Sequence, residues 1–402
     1  MNSFNALAHS LAPSVGLPPL DIRALEPLVA ADYSLESAFK NKVIVEFFKQ
    51  QRHGIIPETL VPSPLPRHYR TVTKRTVHTG KWRTQLICGA VTPGREVPAG
   101  AATSQLEPLE HQKIFTGLET LFNMPRYRPI VHHCTYVIVR NNGGHYTVLF
   151  NMRQLSASIM RSLKNIAEQM QKTMPQVISV FVFFDPSDSG YYLDSGETAT
   201  PKLKRLYGPG VIFTTMHGKR YGHTPAGFSQ VNTAGIELVM ARVRQELQGS
   251  KTDRLIDLFC GYGLFACYAG ADFGSVWGID ISGDAIESAV QNWSHFYKDS
   301  RAHFKTAPIT AHNLKKLLPP TGDCGECIIL DPPRQGFPVG VVDVVAARRP
   351  RTIIHLSCGI DTLPRQLDQW EHQGYAISRI VPFDMFAGTL NIETLVVLTR
   401  KK

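Results

Sequence analysis

The sequence predicts an α/β protein in which an α+β region is followed by a doubly wound, Rossmann-like domain. From about residue 226 onward, short apolar segments alternate with amphipathic helical segments, which is the pattern of a mainly parallel sheet covered by helices. Before that point, strand-like segments predominate without such alternation. The chain of 402 residues is also long enough for two domains.

The composition is that of a globular protein with a basic surplus. Hydrophobic residues make up 43% of the chain, and the formal net charge is +10 with a sequence pI of about 9.2. A basic surplus favours a polyanionic partner, with nucleic acid ahead of an anionic membrane surface. An enzyme that is merely basic is the alternative.

Several classes of protein are disfavoured by the sequence. No apolar run approaches the roughly 20 residues that a membrane span needs. The N-terminus lacks the basic start and apolar core of a secretory signal. Seven scattered cysteines, an odd number, indicate reduced thiols. We therefore expect a cytoplasmic protein without membrane association, and we expect a monomer.

The chain divides into three predicted regions. Residues 1–55 contain an irregular lead-in of about 30 residues and then a helix over 33–51, in which apolar residues recur every four positions. Residues 56–225 form the α+β domain, and residues 226–402 form the Rossmann-like domain.

The α+β domain begins with RHYRTVTKRTVHTGKWR at Arg67–Arg83, which alternates basic and β-branched residues without one acidic residue. This pattern predicts a strand pair with a strongly positive face. Arg70, Lys74 and Arg75 are candidates for contacts with phosphate groups, and a solvated strand face is the alternative. The elements predicted next are strands at Val131–Arg140 and Tyr146–Phe150, a helix over 156–173, a strand at Val177–Phe184, and loops with short strands over 185–225.

In the Rossmann-like domain, motif residues cluster at the ends of predicted strands. Ligands of doubly wound sheets bind at the carboxyl ends of the strands, so these motifs lie where a ligand site is expected. The predicted strands are Leu255–Phe259, Ser275–Ile279, Cys327–Leu330, Thr352–Leu356 and Thr394–Thr399.

The first motif, DLFCGYG at Asp257–Gly263, closes the first of these strands. Its glycines let the backbone approach a ligand closely. Asp280 ends the next strand about 20 residues later, a position from which an acidic residue binds ribose hydroxyls. Leu264 follows the motif and no third glycine completes a dinucleotide signature, so S-adenosylmethionine is favoured. A glycine turn that only packs a helix against a strand is the alternative.

Three further residues make a candidate catalytic set. Asp331 opens the loop DPPR at a strand end, Cys358 follows the next strand, and Glu393 precedes the last strand. A thiolate that adds to carbon 6 of uracil activates carbon 5 for methylation, and a base then removes the carbon 5 proton. One cysteine, one carboxylate and one S-adenosylmethionine site are the minimum set. Each residue taken alone is also compatible with a structural role.

In their order along the chain, these motifs form a specific combination. The segments are FSQVN at Phe228–Asn232, DLFCGYG at Asp257–Gly263, GID at Gly278–Asp280, DPPRQG at Asp331–Gly336, LSCG at Leu356–Gly359, and DMF with IET before the last strand. The combination resembles the RNA 5-methyluridine (uracil-C5) methyltransferase family, and most closely its tRNA (uracil-54-C5) branch. The resemblance extends from about residue 33 to the C-terminus.

The resemblance implies an RNA (uracil-C5)-methyltransferase of class EC 2.1.1 with S-adenosylmethionine as cofactor, no metal, and an N-terminal RNA-recognition domain. It implies that Cys358 is the nucleophile, that Glu393 is the base, and that Arg334 lies near the RNA or the catalytic loop. Asp331 is assigned to both the catalytic and the cofactor site. The residues implied to line the cofactor site are Gln230, Phe259, Gly261, Asp280 and Asp331. The sequence departs from the family pattern in three places: at Leu264 after the second glycine, at Gly359 and Ile360 after Cys358, and at Gly388–Asn391 before the base.

The expected substrate is tRNA, with T-loop uridine 54 as the target, and 23S ribosomal RNA is the alternative. Only Cys88 and Cys134 lie in the first half of the chain, too few for a four-cysteine iron–sulfur cluster. Because stacking hides carbon 5, we expect the target base to be flipped out. Two other interpretations stay open: an amino-methyltransferase acting on adenine or guanine, and an RNA-binding protein without turnover.

Overall fold

The computed structural model describes residues 3–21, 24–51, 54–89, 103–186, 203–249, 251–322 and 324–401. The chain forms two compact units, of which one combines residues 1–66 with residues 234–402 and the other comprises residues 67–233. The second unit therefore begins and ends several residues later than the predicted α+β domain, and the N-terminal region belongs to the same unit as the C-terminal region.

The described helices and strands follow the predicted order. The predicted strand Val177–Phe184 is observed with the same bounds, and the helix predicted over 33–51 ends at Lys49. The α-helices are α1 (Phe4–Leu11), α2 (Tyr33–Lys49), α3 (Leu109–Phe122), α4 (Arg128–Val131), α5 (Ala157–Thr173), α6 (Thr233–Leu247), α7 (Leu264–Ala269), α8 (Gly283–Tyr297), α9 (Ala311–Leu317), α10 (Val341–Ala347) and α11 (Leu363–His372). The strands are β1 (Val72–Thr79), β2 (Thr84–Cys88), β3 (Cys134–Asn142), β4 (His145–Met152), β5 (Val177–Phe184), β6 (Leu203–Tyr207), β7 (Ile212–Met216), β8 (Lys219–His223), β9 (Arg254–Leu258), β10 (Ser275–Asp280), β11 (Ala302–Thr306), β12 (Glu326–Leu330), β13 (Thr352–Ser357), β14 (Tyr375–Phe383) and β15 (Glu393–Arg400). Among the described residues, no helix has both the length and the apolar character needed to cross a membrane.

A seven-stranded sheet forms the centre of the unit that contains the C-terminal region, with the strand order β11-β10-β9-β12-β13-β15-β14. Neighbouring strands from β11 to β13 run parallel, whereas β15 runs antiparallel to both β13 and β14. Crossover helices connect the parallel strands, so their carboxyl ends lie at one edge of the sheet. The predicted doubly wound, Rossmann-like fold is therefore confirmed.

The N-terminal segment packs into this unit instead of forming an irregular lead-in. Phe4, Leu7 and Ala8 of α1 are buried in the same hydrophobic core as residues of α11. The Phe4 N–H donates to Asp361 Oδ1 at 2.7 Å. The expectation of an irregular start was wrong, because Ser3 caps a helix that is too short for its apolar spacing to stand out in the sequence.

A buried ion-pair network ties α2 to the loop between β14 and β15. Lys40 Nζ lies 2.7 Å from Glu36 Oε1 and 2.8 Å from Asp384 Oδ1, and all three side chains are fully buried. Tyr33 donates its hydroxyl to Asp384 Oδ2 at 3.1 Å, and Glu36 accepts from the Gly388 N–H at 2.5 Å. Because these charged side chains are buried, water could not solvate one that lost its partner. The network therefore holds the loop in place.

The unit of residues 67–233 is built on a six-stranded sheet with the order β2-β1-β3-β4-β5-β6. β4 and β5 pair in parallel, and the other neighbours are antiparallel. Side chains of α3, α5 and one sheet face form the main core, a smaller apolar cluster lies on the other face, and β7 pairs with β8 as a separate hairpin. This arrangement agrees with the predicted α+β region.

We expect Lys40→Met to lower the free energy of unfolding by about 3–5 kcal/mol, because Glu36 and Asp384 would be left buried without their cation. The matched control is Lys49→Met on the same helix, where an exposed pair with Glu46 is lost and about 1 kcal/mol or less is expected. Urea unfolding of the two variants measures the difference. Equal, small effects would show that the buried network contributes little.

Candidate active site

The segment between β9 and α7 turns sharply at the carboxyl edge of the sheet. Phe259, Gly261 and Gly263 have positive φ angles of 64°, 53° and 80°. The Gly261 N–H donates to Asp280 Oδ2 at 2.9 Å, and Asp280 Oδ1 accepts from the Ser282 N–H at 2.9 Å. The structure therefore brings together Phe259, Gly261 and Asp280, three of the residues predicted to bind the cofactor.

Asp257 of β9 is a buried carboxyl beneath this turn. Its Oδ2 accepts from the Ala266 N–H at 2.9 Å, whereas its Oδ1 has no hydrogen-bond partner among the described residues. Burial raises the pKa of Asp257 well above its ordinary range, and the charges of Asp331 and Asp280 add to this increase. Asp257 was not among the predicted site residues. The available signal was an acidic residue inside an otherwise apolar strand.

Cys358 and Glu393 lie opposite each other at the same edge of the sheet. β13 and β15 pair antiparallel with Ser357 opposite Thr394, and extending this register by one step pairs Cys358 with Glu393. Both side chains are half-buried. Burial raises the pKa of Cys358 to about 11, with a contribution from the Glu393 charge. Burial and the charge of Asp331 raise the pKa of Glu393 well above its usual range.

Arg334 supplies a positive charge beside this pair. Its exposed side chain hydrogen-bonds to Cys358 and opposes the increase in the pKa of the thiol, and its charge opposes the increase in the pKa of Glu393. A Cβ atom at Gly359 would lie 3.3 Å from the Arg334 carbonyl oxygen and 3.1 Å from Thr362 Oγ1. The departure from the family pattern at Gly359 thus lies where the loop after β13 closely approaches the loop that carries Arg334.

Asp331 directly follows β12 and lies near both the predicted cofactor residues and the predicted catalytic pair. Its N–H donates to the Leu258 carbonyl oxygen at 3.3 Å, next to the glycine turn. Burial, followed by the charge of Asp280, raises the pKa of Asp331 to about 7. The Asp331 charge in turn raises the pKa values of Cys358 and Glu393. The carboxyl therefore lies between the predicted cofactor residues and the predicted catalytic pair.

Thr362 and Gln366 hold the loop that carries Cys358, and neither was predicted. Thr362 Oγ1 donates to the Gly359 carbonyl oxygen at 2.9 Å and accepts from Gln366 Nε2 at 3.3 Å. The Gly359 N–H donates to Ser357 Oγ at 3.4 Å. A threonine just before a helix was the only sequence signal for this contact.

The remaining predicted residues belong to the unit of residues 67–233. Gln230 accepts from Thr71 Oγ1 through its main-chain oxygen at 3.0 Å. Arg70 pairs with Asn232 through an isolated β-bridge. The roles of Gln230 and Arg70 in binding cofactor and RNA stay predictions. No group of three or more potential metal ligands occurs within the described parts of the chain.

The expectation for Arg75 is corrected by the structure. Adjacent residues of a strand face opposite sides of the sheet, so Lys74 and Arg75 cannot share one surface. Lys74 is exposed, with Nζ 4.2 Å from the centre of the Tyr136 ring. Arg75 is only 3% exposed, lies 2.5 Å from Glu107 Oε2, and packs over the Phe115 ring. Arg75 therefore forms an internal ion pair and leaves Lys74 as the outward-facing candidate.

Comparison with known proteins shows which family the C-terminal region resembles. Residues 214–401 match the model of the tRNA (uracil-5-)-methyltransferases. This segment is similar to that family. The resemblance predicted from the motifs is confirmed, and the match agrees with the predicted class of enzyme, EC 2.1.1.

Relatives and solved structures extend this comparison. A protein of Geobacter sulfurreducens named as an uncharacterized RNA methyltransferase is 28% identical over 239 residues, covering 60% of this chain and 46% of the relative. A Thermosynechococcus vestitus protein of the same name is 25% identical over 377 residues, covering 91% of this chain and 80% of the relative. The chain thus spans about half the length of the Geobacter relative.

The structure of Pyrococcus abyssi tRNA (uracil-54, C5)-methyltransferase in complex with S-adenosyl-L-homocysteine is similar, with a TM-score of 0.70 and 19% identity. The similarity covers 94% of this chain and 86% of that one. At this identity the likeness establishes the fold, and it supports the predicted α/β class.

We expect Cys358 to be alkylated slowly at neutral pH, because with a pKa of about 11 only ~10⁻⁴ of the thiol is ionised at pH 7. The rate should rise about tenfold per pH unit until the pH approaches the pKa. Arg334→Gln removes the charge that opposes the increase in pKa, so alkylation at a given pH should slow by about tenfold. Mass spectrometry of iodoacetamide-treated protein measures both effects.

The matched control for this experiment is Arg365→Gln, which removes an exposed arginine from α11. Its Cys358 alkylation rate should equal that of the unmodified sequence. An Arg334→Gln variant that reacts as fast as the control would contradict the contact between Arg334 and the thiol.

Proposed function

We propose that this chain transfers a methyl group from S-adenosylmethionine to carbon 5 of a uridine in RNA. The observation that carries the proposal is the pairing of Cys358 with Glu393 across β13 and β15, with Arg334 and Asp331 beside them. An amino-methyltransferase acting on adenine or guanine needs no thiol. A cysteine that faces a carboxyl supplies the nucleophile and the base that uracil C5 methylation requires.

The acidic groups at this sheet edge fit a positively charged nucleoside. Burial raises the pKa values of Asp257, Asp331 and Glu393, and the Oδ1 atom of Asp257 is left without a partner among the described residues. A sulfonium and an ammonium group would stabilise these carboxylates, and Asp280 can accept ribose hydroxyls. Bound S-adenosylmethionine supplies the methyl group. The residues proposed to hold it are Phe259, Gly261, Asp280 and Asp331, with Gln230 added by the family resemblance.

The side chains of this unit supply the covalent and proton-transfer chemistry. Cys358 releases its proton to solvent, the Arg334 charge stabilises the resulting thiolate, and the thiolate sulfur bonds to carbon 6 of the uracil ring. This addition leaves an enolate in which carbon 5 is nucleophilic. Once carbon 5 carries the methyl group, the Glu393 carboxylate removes its proton, and the electron pair of that C–H bond expels the Cys358 thiolate. Asp331, whose pKa lies near 7, can donate or accept a hydrogen bond at neutral pH.

Within this function, tRNA is the proposed RNA and T-loop uridine 54 the proposed target, with 23S ribosomal RNA as the alternative. The support is the match of residues 214–401 to the tRNA (uracil-5-)-methyltransferases and the fold shared with the Pyrococcus abyssi enzyme. The basic surplus of +10 is compatible with either RNA. We further propose that the protein is a cytoplasmic monomer and that the target base is flipped out of its stack for the reaction.

The mechanism is tested with an RNA that carries 5-fluorouridine at the target position. Fluorine replaces the proton that Glu393 removes, so elimination is blocked and the bond to Cys358 persists. We expect a stable adduct with the unmodified sequence and with Cys324→Ala, and none with Cys358→Ala. Cys324 is a second half-buried cysteine of the same unit and serves as the matched control. RNA that binds without any adduct would favour an RNA-binding protein without turnover.

The choice of RNA is tested by nucleoside mass spectrometry of tRNA and ribosomal RNA from cells with and without the protein. We expect 5-methyluridine at position 54 of tRNA to disappear with the protein and to return with the unmodified sequence but not with Cys358→Ala. Loss of 5-methyluridine from 23S ribosomal RNA alone would overturn the tRNA assignment and leave the reaction class intact.

A further inference from the structure

The unit of residues 67–233 contains an open cavity of about 550 Å³ at the start of α5. This volume falls within the range of about 300–1,000 Å³ that small-molecule sites occupy. None of the described residues that line the cavity is acidic. The cavity has no role in the methyl-transfer chemistry derived above, so its lining calls for a separate explanation.

Part of the cavity lining is basic. Arg126, Arg153 and His133 contribute to its lining. The Arg153 N–H donates to the His133 carbonyl oxygen at 2.8 Å, which joins two of these residues through the backbone. The Arg126 guanidinium lies 4.7 Å from the centre of the Tyr127 ring, which limits where it can point. Two arginines and a histidine in the lining of one cavity suit a phosphate group.

Another part of the lining is apolar and aromatic. Leu155, Ile159 and the half-buried ring of Phe184, at the end of β5, line the cavity there. Ser158 and Ser162 stand one turn apart on α5 and add two hydroxyl groups to the wall. An aromatic ring, hydroxyl groups and arginines in one open cavity match the three parts of a nucleotide: its base, its sugar and its phosphate.

We propose that this cavity binds one unstacked nucleotide of the RNA substrate, distinct from the uridine that is methylated. Phe184 stacks against the base, and Arg126 with Arg153 contacts its phosphate. The proposal rests on the proposed function only in taking RNA as the substrate. A free nucleoside monophosphate has the same chemistry, so the experiment must separate the two sources.

The test compares two double variants that remove the same charge from the same unit. Arg126→Gln with Arg153→Gln alters the cavity, whereas Arg161→Gln with Lys164→Gln alters two exposed residues of α5 outside it. RNA affinity is measured by fluorescence anisotropy with a labelled tRNA T-arm transcript over a range of salt concentrations. All proteins carry Cys358→Ala, and no S-adenosylmethionine is added, so binding is read without turnover.

We expect the cavity double variant to raise the Kd for RNA by about tenfold and to reduce the slope of log Kd against log salt by about 1. The control double variant should change the Kd by about twofold or less. Phe184→Leu should raise the Kd by about fivefold and leave the salt slope unchanged, because it removes stacking and no charge. A change in both the salt slope and the Kd indicates a phosphate contact, whereas a change in the Kd alone indicates a base contact. A general loss of structure would not produce this difference between the variants.

Equal effects of the two double variants would overturn the proposal, because they would show attraction by the overall charge alone. Calorimetric titration with uridine 5′-monophosphate separates the sources of the nucleotide. If this nucleotide binds the cavity and the cavity variants leave RNA affinity unchanged, the site serves a free nucleotide and the RNA assignment fails. A failed methylation assay leaves these binding measurements valid, so the failures of the two proposals are distinguishable.

Discussion

The antiparallel position of β15 between β13 and β14 is the constraint on which the candidate active site depends. Parallel strands bring only their carboxyl ends to the ligand edge of the sheet. A residue at the start of a parallel strand would lie at the opposite edge. Because β15 runs the other way, its first residue, Glu393, reaches the same edge as Cys358. The two groups proposed to carry out uracil C5 methylation therefore meet because of the direction of β15.

This meeting concentrates acidic groups where little water can solvate their charged forms. Asp257, Asp331 and Glu393 all have raised pKa values for which burial is the largest cause, and Arg334 opposes the increase at Glu393. A site of this kind attracts cationic ligands and suits a positively charged methyl donor. The same surroundings keep the Cys358 thiol protonated in the free protein. Burial at this sheet edge therefore accounts both for the raised pKa of Cys358 and for the proposed preference for a cationic cofactor.

The N-terminal region contacts the two loops that carry the proposed catalytic residues. Lys40 of α2 holds Asp384 at the start of the loop that leads to Glu393. Phe4 of α1 donates to Asp361, three residues after Cys358. Chain segments that are far apart in sequence thus support both of the proposed catalytic positions. Fully buried ion pairs suit this task, because a displaced loop would leave an uncompensated charge in the core.

By itself, the sequence determined the fold class, the family and the motif residues at the strand ends. Apolar periodicity and glycine turns are local properties, and so the strand Val177–Phe184, the turn at Gly261 and the position of Asp280 could be predicted. Only the tertiary structure decided which polar groups share an environment. The burial of Arg75 against Glu107, the unpartnered Asp257 oxygen and the packing of α1 depend on contacts between residues distant in sequence. Such environments leave no periodic signal in the sequence, because they depend on which distant residues the fold brings together.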